Sequence, residues 1–497
     1  MSMQLRRYPL WLKGSAVHQS GENEVLSVLS PATGVEVSRA SLASELMIEE
    51  LIQASLSAFH EFRRTSRFAR AEVLLEISRQ ISTRYAEAFE DLIVEEAGKP
   101  RVLARAEVQR AAVTFRLASE EARRWGTETL PLDGESAAKG YSDAEIRKVP
   151  RGVVFGITPF NFPLNLAAHK IAPALAVGAS VILKPPHQAP GACDLLLQIW
   201  EGVVKDWNSK NVGPALPLAA LQLVHAEPRL LEKIVVDPRV QVISFTGSDS
   251  VGWKLRGLGY KKQVLLELGG NASVIVHQDA DLDLAVSRCL YGAFAYSGQI
   301  CISVQKIWVH DSVYEVFKKR FIEGVKALQV GAPESIGTWV GPLIDIASAD
   351  RVRQWRDEAI RRGATLVAQH DLPIDLGPQY VAPFILEAVP SGVRFECDEL
   401  FGPGVALEVY RSIPEVIEQI NQSRFGLQGG VFTQDSRVVQ YCFEEWEVGG
   451  LLVNEVPTWR VDSLPYGGTK DSGTGREGPR FAMEDFCELR VKVEKRI

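Results

Sequence analysis

The 497-residue sequence has few cysteines, and they are not arranged as metal ligands or as disulfide pairs. No CxxC pair occurs, and no histidine stands at metal-ligand spacing from a cysteine. We therefore expect neither a zinc site nor a disulfide framework. The simplest interpretation of each cysteine is a buried, unreactive thiol, so a chemical role needs support from local context. The six are Cys193, Cys289, Cys301, Cys397, Cys442 and Cys487.

The sequence also lacks a long hydrophobic run and an excess of positive charge. Its most apolar stretch, Ile171 to Leu183, contains Pro173 and Gly178 and is too short for a membrane span. The first 13 residues hold too few apolar residues for the core of a signal peptide. The net charge of −7 argues against a nucleic-acid partner or a basic membrane-binding surface. A cytoplasmic protein is the simplest expectation.

The chain is longer than a single hydrophobic core usually supports, which predicts two or three domains. Residues 44–125 have helical periodicity, and from residue 152 strands and helices alternate as in a parallel sheet covered by helices. A second alternating segment after residue 270 places a boundary between two α/β domains near 268–271. The polar segment 205–217 is expected to be an exposed connection. The last strand-like stretch needs a distant segment or another subunit as its partner.

Three residues stand in contexts that favour chemistry. Cys301 follows a Ser-Gly pair that closes a predicted helix, so its thiol lies on a turn where a dipole or cation could lower its pKa. Glu267 stands among apolar residues in LLELGGN, and burial raises a carboxyl pKa towards the range of a general base. Asn161, at a strand-to-helix turn, could donate to an oxyanion. Each has a commoner alternative: an inert thiol, an exposed strand-end carboxylate and a helix cap.

Two further segments could bind a nucleotide. FTGSDSVG, residues 245–252, follows a predicted strand and opens a helix. Gly247 there allows close backbone approach, and Ser248 with the helix N-terminus can bind a pyrophosphate. Lys184, at the end of the predicted strand SVILKP, could reach a ribose or a phosphate, although a solvated lysine is the commoner case at a strand end.

Seven short motifs occur in one order along the chain: PFNFP, LKP, FTGS, LELGGN, GQIC, ELFGP and PYGGTKDSGTGREG. Together they resemble the aldehyde dehydrogenase superfamily from end to end. The segments NFPLNLAAHK, GQICISVQKI and PTWRVDSLPYGGTKDSG are similar to the branch of lactaldehyde, phosphonoacetaldehyde and non-phosphorylating glyceraldehyde-3-phosphate dehydrogenases.

The resemblance implies an α/β fold in three parts. A Rossmann-type NAD(P)-binding domain would comprise residues 1–125 and 150–266, and an α/β catalytic domain residues 267–465. A small β oligomerisation element would combine residues 126–149 and 480–497. The resemblance also implies a homodimer or homotetramer.

The same resemblance implies oxidation of an aldehyde to a carboxylic acid with NAD or NADP. Cys301 would attack the carbonyl, while the Asn161 amide and the Cys301 backbone N–H hold the oxyanion. After hydride transfer, Glu267 would activate water to hydrolyse the thioester. The implied cofactor-binding residues are Thr158, Pro159, Lys184, His187, Gly247, Ser248, Glu399 and Phe401. The implied neighbours of the aldehyde are Phe162, His169, Ile300, Ile302, Trp459 and Arg460.

Several choices stay open. His187 stands where NAD-preferring relatives often have an acidic residue, so we predict use of both NAD and NADP. Arg460 could bind an anionic group of the aldehyde, or it could pair with Asp462 or a neighbouring loop. A coenzyme A-acylating enzyme is an alternative that Glu267 argues against, because such relatives usually lack the water-activating acid. A catalytically silent relative is the other, and the joint presence of nucleophile, base and oxyanion donor argues against it.

Overall fold

The computed structural model describes residues 5–19, 21, 24–211 and 213–495. Helices and strands alternate along most of this length. The helices are α1 (Glu45–Phe62), α2 (Arg67–Ser82), α3 (Ala86–Ala97), α4 (Arg101–Arg124), α5 (Asn165–Val177), α6 (Gly191–Ser209), α7 (Pro228–Val236), α8 (Asp249–Leu258), α9 (Leu282–Phe294), α10 (Tyr314–Lys326), α11 (Ile346–Arg361), α12 (Arg394–Cys397), α13 (Ile413–Asn421), α14 (Ser436–Glu445) and α15 (Pro479–Asp485).

The strands fall into five sheets. They are β1 (Arg6–Tyr8), β2 (Leu10–Leu12), β3 (Ser15–Val17), β4 (Val25–Leu29), β5 (Glu36–Ser41), β6 (Thr127–Leu130), β7 (Ala144–Pro150), β8 (Val153–Ile157), β9 (Val181–Lys184), β10 (Leu221–Leu223), β11 (Val240–Thr246), β12 (Gln263–Glu267), β13 (Ala272–Val276), β14 (Val304–His310), β15 (Thr365–Gln369), β16 (Phe384–Glu387), β17 (Gly404–Tyr410), β18 (Phe425–Gly426), β19 (Gln428–Phe432), β20 (Gly450–Val453), β21 (Thr469–Lys470), β22 (Gly473–Thr474) and β23 (Cys487–Lys492).

The first large sheet has a parallel centre in the order β12-β11-β8-β9-β10. Its strands are almost continuous runs of apolar residues because helices cover both faces, and β8 has Val153, Val154 and Phe155 fully buried. The chain starts at β8 in the centre, runs outward to β10, and returns to β11 on the other side. Such a sheet binds ligands at its carboxyl edge beside the point where the direction reverses. The predicted Rossmann-type sheet is confirmed.

The second large sheet has the order β15-β16-β17-β14-β13-β19-β20. All neighbouring strands are parallel except β15, which runs antiparallel to β16. Its core includes Phe294 of helix α9 and Phe317 and Phe321 of helix α10, which are fully buried. The predicted second α/β unit is therefore present, and it begins immediately after Glu267 ends the first sheet.

A small antiparallel sheet joins β6, β7 and the C-terminal strand β23. Residues 487–492 pair with residues 145–150, so the last strand finds its partner within its own chain. The preceding helix α15 packs on α4 and α5, and its Ala482 and Met483 are buried in the core of the first unit. Residues 480–485 thus belong with the helical layer, and the strand begins at Cys487. The exact domain boundaries stay a prediction.

Helix α6 extends further than the sequence indicated. The segment from Lys205 onward was expected to be an exposed connection, but α6 continues to Ser209. Trp207 explains the extra turn, because its ring lies 6.0 Å from that of Phe68 and packs on the core of the first unit. Among the residues that the structure describes, no helix combines the length and apolar character needed to cross a membrane.

Candidate active site

A cavity of about 620 Å³ lies where the carboxyl edge of the first sheet meets the second unit. Asn161 reaches it from the loop after β8, Glu267 from the end of β12, and Cys301 from the loop after α9. Three residues chosen from separate parts of the sequence therefore meet at one site. Four other cysteines are buried and Cys397 is exposed, whereas Cys301 is half-buried on the cavity wall.

The loop that carries Cys301 has an unusual backbone. Tyr296, Ser297 and Gly298 have φ values of 51°, 56° and 71°, in the left-handed region that only glycine adopts without cost. A Cβ at Gly298 would lie 2.2 Å from the carbonyl oxygen of Gly402. This tight turn ends the helical segment and presents the thiol to the cavity, as the Ser-Gly pair predicted.

The Cys301 thiol differs electrostatically from the expectation. Burial raises its pKa to about 12, and a hydrogen bond with Tyr466 and the charge of Arg460 lower it only in part. The Sγ atom lies 3.0 Å from the Tyr466 hydroxyl oxygen. The expected lowering of the pKa by a dipole or cation is therefore outweighed by desolvation, and the resting group is a thiol.

Asn161 is positioned by a hydrogen bond across the cavity wall. Its Nδ2 donates to the carbonyl oxygen of Gln299 at 2.9 Å, two residues before Cys301. An amide nitrogen carries two hydrogens, so one fixes the Cys301 loop and the second is free for a ligand. The side chain is buried, which strengthens any hydrogen bond that it makes to a developing negative charge.

Glu267 is the buried carboxyl group predicted from its apolar neighbours, with 5% of its surface exposed. No described residue donates a hydrogen bond to its buried Oε2 atom. Burial and the negative charge of Glu477 raise the Glu267 pKa well above its usual value, while Arg460 and Lys170 oppose this shift. The site thus contains a carboxyl group with a raised pKa, whose Oε2 atom has no described hydrogen-bond donor.

Behind Glu267 lies a buried group of charges that sequence reasoning missed. The Nζ atom of Lys170 donates to Thr246 Oγ1 at 2.6 Å and lies 3.3 Å from Oε1 of Glu477. Burial favours the neutral acid, but Lys170 and its positive neighbours lower the pKa of Glu477 to about 2. These interactions between Lys170, Thr246 and Glu477 fix the wall of the cavity next to Glu267.

Two predicted substrate neighbours, His169 and Arg460, interact with this group of charges. His169 is buried behind the wall, with Nε2 2.8 Å from Asp462 Oδ1, because helix α5 turns it towards the protein interior. It does not line the cavity, contrary to the expectation. Arg460 does line it, but its Nη2 donates to Glu477 Oε2 at 3.0 Å and its Nε lies 4.0 Å from Asp462. Nη2 is thus paired within the protein, whereas Nε has no described hydrogen-bond partner, so the choice between substrate binding and internal pairing stays open.

The remaining substrate neighbours form a largely apolar wall: Phe162, Ile300, Ile302 and Trp459. Two arginines that the sequence did not single out also line the cavity. Arg110 of α4 binds both carboxylate oxygens of Asp462, at 3.0 and 2.7 Å, and Arg288 of α9 donates from Nε to Glu455 at 2.6 Å. No described residue accepts a hydrogen bond from Nη1 of Arg110 or from either Nη atom of Arg288.

The cofactor residues fit a dinucleotide. Ser248 is the N-cap residue of α8, and its side chain makes no capping hydrogen bond, so the first N–H groups of that helix are available to an anion. A Cβ on Gly247 would lie 2.7 Å from the Phe245 ring. Burial raises the pKa of Glu399 to about 8, and its Oε1 accepts from the Gly270 N–H at 3.3 Å.

Not every predicted cofactor residue lines this cavity. Pro159, Gly247, Ser248, Glu399 and Phe401 do. Thr158, Lys184 and His187 lie outside its wall, at the carboxyl ends of β8 and β9, where Thr158 N–H donates to the Lys184 carbonyl oxygen at 3.1 Å.

Lys184 and His187 form a polar group with unused hydrogen-bonding atoms. Burial lowers the pKa of Lys184 to about 8. Burial and the nearby Lys184 lower that of His187 to about 4, so the imidazole is neutral near pH 7 rather than partly charged as expected. The buried Nδ1 of His187 and both ring nitrogens of His225, next to β10, have no described partner. Such atoms fit the hydroxyl or phosphate oxygens of a nucleotide.

A Rossmann-type sheet that opens beside a half-buried thiol and a buried carboxyl group defines a nicotinamide-dependent oxidoreductase. The aldehyde dehydrogenase family matches residues 17–492. The chain is 36% identical over 496 residues to 3-sulfolactaldehyde dehydrogenase of Priestia aryabhattai, covering 99% of this chain and 98% of that one.

Solved structures agree. Aldehyde dehydrogenase 21 of Physcomitrella patens, in complex with the reaction product succinate, superposes with a TM-score of 0.93 at 34% identity, covering 100% of this chain and 99% of the other. Glyceraldehyde-3-phosphate dehydrogenase of Methanocaldococcus jannaschii, complexed with NADP, gives a TM-score of 0.88 at 33% identity, covering 95% and 99%. The chain belongs to the aldehyde dehydrogenase family, and it is an NAD(P)-dependent enzyme that oxidises aldehydes.

Some of the residues that sequence reasoning missed could have been found from the sequence, and others could not. Lys170, Tyr466 and Glu477 stand inside motifs used to recognise the family, so a test of every polar residue in those motifs would have included them. Arg110 and Arg288 stand on helices without a motif. Only the packing of α4 and α9 around the cavity distinguishes them from surface arginines.

Proposed function

We propose that the protein oxidises an aldehyde to a carboxylic acid through a thioester on Cys301, which water activated by Glu267 hydrolyses. The observation that carries the proposal is the meeting of a half-buried thiol, an amide with one free N–H and a buried carboxyl group without a donor on one cavity wall. These are the nucleophile, oxyanion donor and base of acyl transfer.

The first step forms a bond between Cys301 Sγ and the carbonyl carbon. The thiol releases its proton to solvent water, the thiolate attacks, and the C=O electron pair moves to oxygen. The resulting oxyanion accepts hydrogen bonds from the second N–H of Asn161 and the backbone N–H of Cys301. When bound, NAD(P)+ supplies the hydride acceptor that turns the hemithioacetal into a thioester. Residues that follow β8, β11 and β12 line the cavity and would orient that acceptor.

The second step hydrolyses the thioester. A carboxylate with a raised pKa is a stronger base than an exposed one, so Glu267 can take a proton from water as the oxygen attacks the thioester carbon. The C–S bond then breaks, and the thiol is restored. Lys170 and Arg460 keep the ionised form of Glu267 accessible by opposing the effect of burial.

The decisive experiment separates the two steps. Glu267→Gln keeps the size of the side chain but removes the base, so it should give a burst of one reduced cofactor per competent site and then stall. Cys301→Ala is the matched control, which should bind cofactor and give no burst. Turnover by Cys301→Ala, or a Glu267→Gln variant without a burst, would overturn the mechanism. A product that forms only with coenzyme A would favour the acylating alternative.

We further propose that the aldehyde carries an anionic group at the end remote from the carbonyl. Arg110 and Arg288 line the cavity, and each binds a carboxylate with only part of its guanidinium, so other N–H groups have no described acceptor. A guanidinium suits sulfonate, phosphate or carboxylate oxygens. The named activities of relatives are consistent with this, since one acts on sulfolactaldehyde and another structure holds succinate.

A comparison of an anionic and a neutral aldehyde of equal length tests this part of the proposal. Arg288→Gln and Arg110→Lys should each raise KM for an anionic short-chain aldehyde about tenfold or more, the usual effect of losing a hydrogen bond to a charged group. KM for a neutral aldehyde of equal length should change less than twofold. Arg116→Gln removes one charge from the exposed face of the same helix α4 and serves as the control. Equal effects on both aldehydes would refute anion recognition.

We propose that both NAD and NADP are used. No carboxylate stands three residues after Lys184 to repel a 2′-phosphate, and the neutral His187 with its unpartnered Nδ1 repels neither cofactor. Discrimination in kcat/KM should stay below about a hundredfold, which corresponds to roughly 3 kcal/mol.

We also propose a homodimer or homotetramer formed through the small sheet. Leu489 and Val491 of β23 are 67% and 59% exposed, although they alternate like residues that face a partner. Light scattering at micromolar concentration should show a dimer or a tetramer, and a monomer would contradict the proposal.

A further inference from the structure

Tyr466 contacts the nucleophile, and the mechanism above gives it no role. Its hydroxyl oxygen lies 3.0 Å from Cys301 Sγ, and its ring is 4% exposed in a cluster with Tyr296, Ile300, Ile302 and Leu427. The ring could be explained by packing alone. The hydroxyl could not, because a phenylalanine would fill the same space.

The direction of this hydrogen bond changes during the reaction. In the resting site either the thiol or the phenol can donate. Once sulfur loses its proton it can only accept, so the phenol must donate. Burial raises the pKa of Tyr466 well above its usual value, so the phenol keeps its proton. The attacking sulfur therefore accepts a hydrogen bond from a neutral hydroxyl that is itself buried.

Arg460 strengthens this donor. Its guanidinium carbon lies 3.7 Å from the centre of the Tyr466 ring, and its Nη2 is held by Glu477 at 3.0 Å. A cation over the face of a phenol attracts electron density from the ring and makes the O–H a better donor. Arg460 thus has a role towards the nucleophile.

We propose that the Tyr466 hydroxyl is a second donor at the catalytic centre, which aims Cys301 Sγ and stabilises the thiolate as it forms, with Arg460 holding and polarising the phenol ring. The inference rests on the proposed role of Cys301 as nucleophile. It concerns the step in which the C–S bond forms, and it assigns no part in hydrolysis to Tyr466.

The test measures the reactivity of the thiol directly. The rate at which iodoacetamide alkylates Cys301 is followed from pH 6 to pH 10 in the full-length protein, with Cys397→Ser as the background because Cys397 is exposed. The other charged groups that act on the thiol are Glu399, Arg460 and Glu267, and none of them changes in the variant. Tyr466→Phe removes only the hydroxyl. Tyr314→Phe, which loses a hydroxyl bonded to Glu387, is the control.

Because the pKa of Cys301 lies above this pH range, the alkylation rate there is proportional to the small thiolate fraction. Loss of a hydrogen bond to the thiolate should lower that rate in Tyr466→Phe by about 10- to 100-fold at each pH. The burst of cofactor reduction should slow about tenfold or more at neutral pH, in line with the smaller thiolate fraction. An unchanged alkylation rate, or an equal loss in Tyr314→Phe, would overturn the inference. Failure of the proposed function would be seen separately, as turnover by Cys301→Ala, and would leave the alkylation profile measurable.

Discussion

The buried ion pair between Lys99 and Glu107 gives a sharp stability prediction. Both side chains are fully buried, and Glu107 also accepts hydrogen bonds through Oε1 from the backbone N–H groups of Leu164 and Asn165, at 2.9 and 3.1 Å. It therefore holds the start of helix α5, three residues after Asn161. The side chain of Lys99 has no exposed surface, and its Nζ lies 3.5 Å from the centre of the Phe162 ring. Solvent therefore does not solvate the ammonium group when Glu107 is removed.

Glu107→Gln keeps an oxygen for the two N–H groups but removes the charge that compensates Lys99. Breaking one side of a buried ion pair costs about 3–5 kcal/mol, because the other charge is left unpaired. Burial already lowers the pKa of Lys99 to about 8, and without Glu107 it should fall further. The unfolded variant then binds more protons than the folded one, so its free energy of unfolding should rise with pH between 7 and 9.

Urea unfolding, followed by tryptophan fluorescence at one protomer concentration, measures this loss. The double variant Lys99→Met/Glu107→Gln should recover most of it, because an apolar replacement of a buried pair is often neutral. We expect Glu107→Gln to lower the free energy of unfolding by several kcal/mol. A decrease below about 1 kcal/mol would refute this interpretation of the ion pair. So would a double variant no more stable than the single one.

Three further predictions concern catalysis. Asn161→Ala should lower kcat by about 10²–10³-fold, the usual effect of losing one oxyanion donor, and steady-state kinetics with an unchanged kcat would remove Asn161 from that role. His187→Glu should lower kcat/KM for NADP at least tenfold relative to NAD, because a carboxylate repels the 2′-phosphate; a wild type without measurable NADP turnover would contradict this view of His187. The rate of thioester hydrolysis should rise with pH over a range above the usual carboxyl pKa, since burial shifts Glu267 upward and only its ionised form is a base; a rate independent of pH from 5 to 9 would show that another group activates water.

The features that the sequence revealed are local in the chain. The apolar residues around Glu267 predicted its burial, and the Ser-Gly pair predicted the turn before Cys301, because each depends on a few neighbouring residues. The alternating pattern of the last strand predicted a distant partner but did not say which one. The resemblance combined residues 126–149 with the C-terminal residues, and strand β7 in this region does pair with β23.

Contacts between distant residues were not predictable in the same way. His169 looked like a pocket residue, but its ring binds Asp462, 293 positions away. The pKa of Cys301 depends on how much water the assembled walls exclude, which no local pattern encodes. Similarly, the last turn of α6 depends on the contact of Trp207 with Phe68, which is far away in sequence.

The segment after residue 465 has a mechanical consequence. Strand β21 pairs with β18 beside the second sheet, and β22, two residues later, pairs with β12 of the first sheet. The two α/β units are therefore joined by the direct chain connection after Glu267 and by this clip as well. Two attachments leave rotation about the line that joins them as the simplest relative movement of the units, and they oppose sliding or twisting of one unit against the other. The 39%-exposed Trp459 lies on the wall of the cavity between these units.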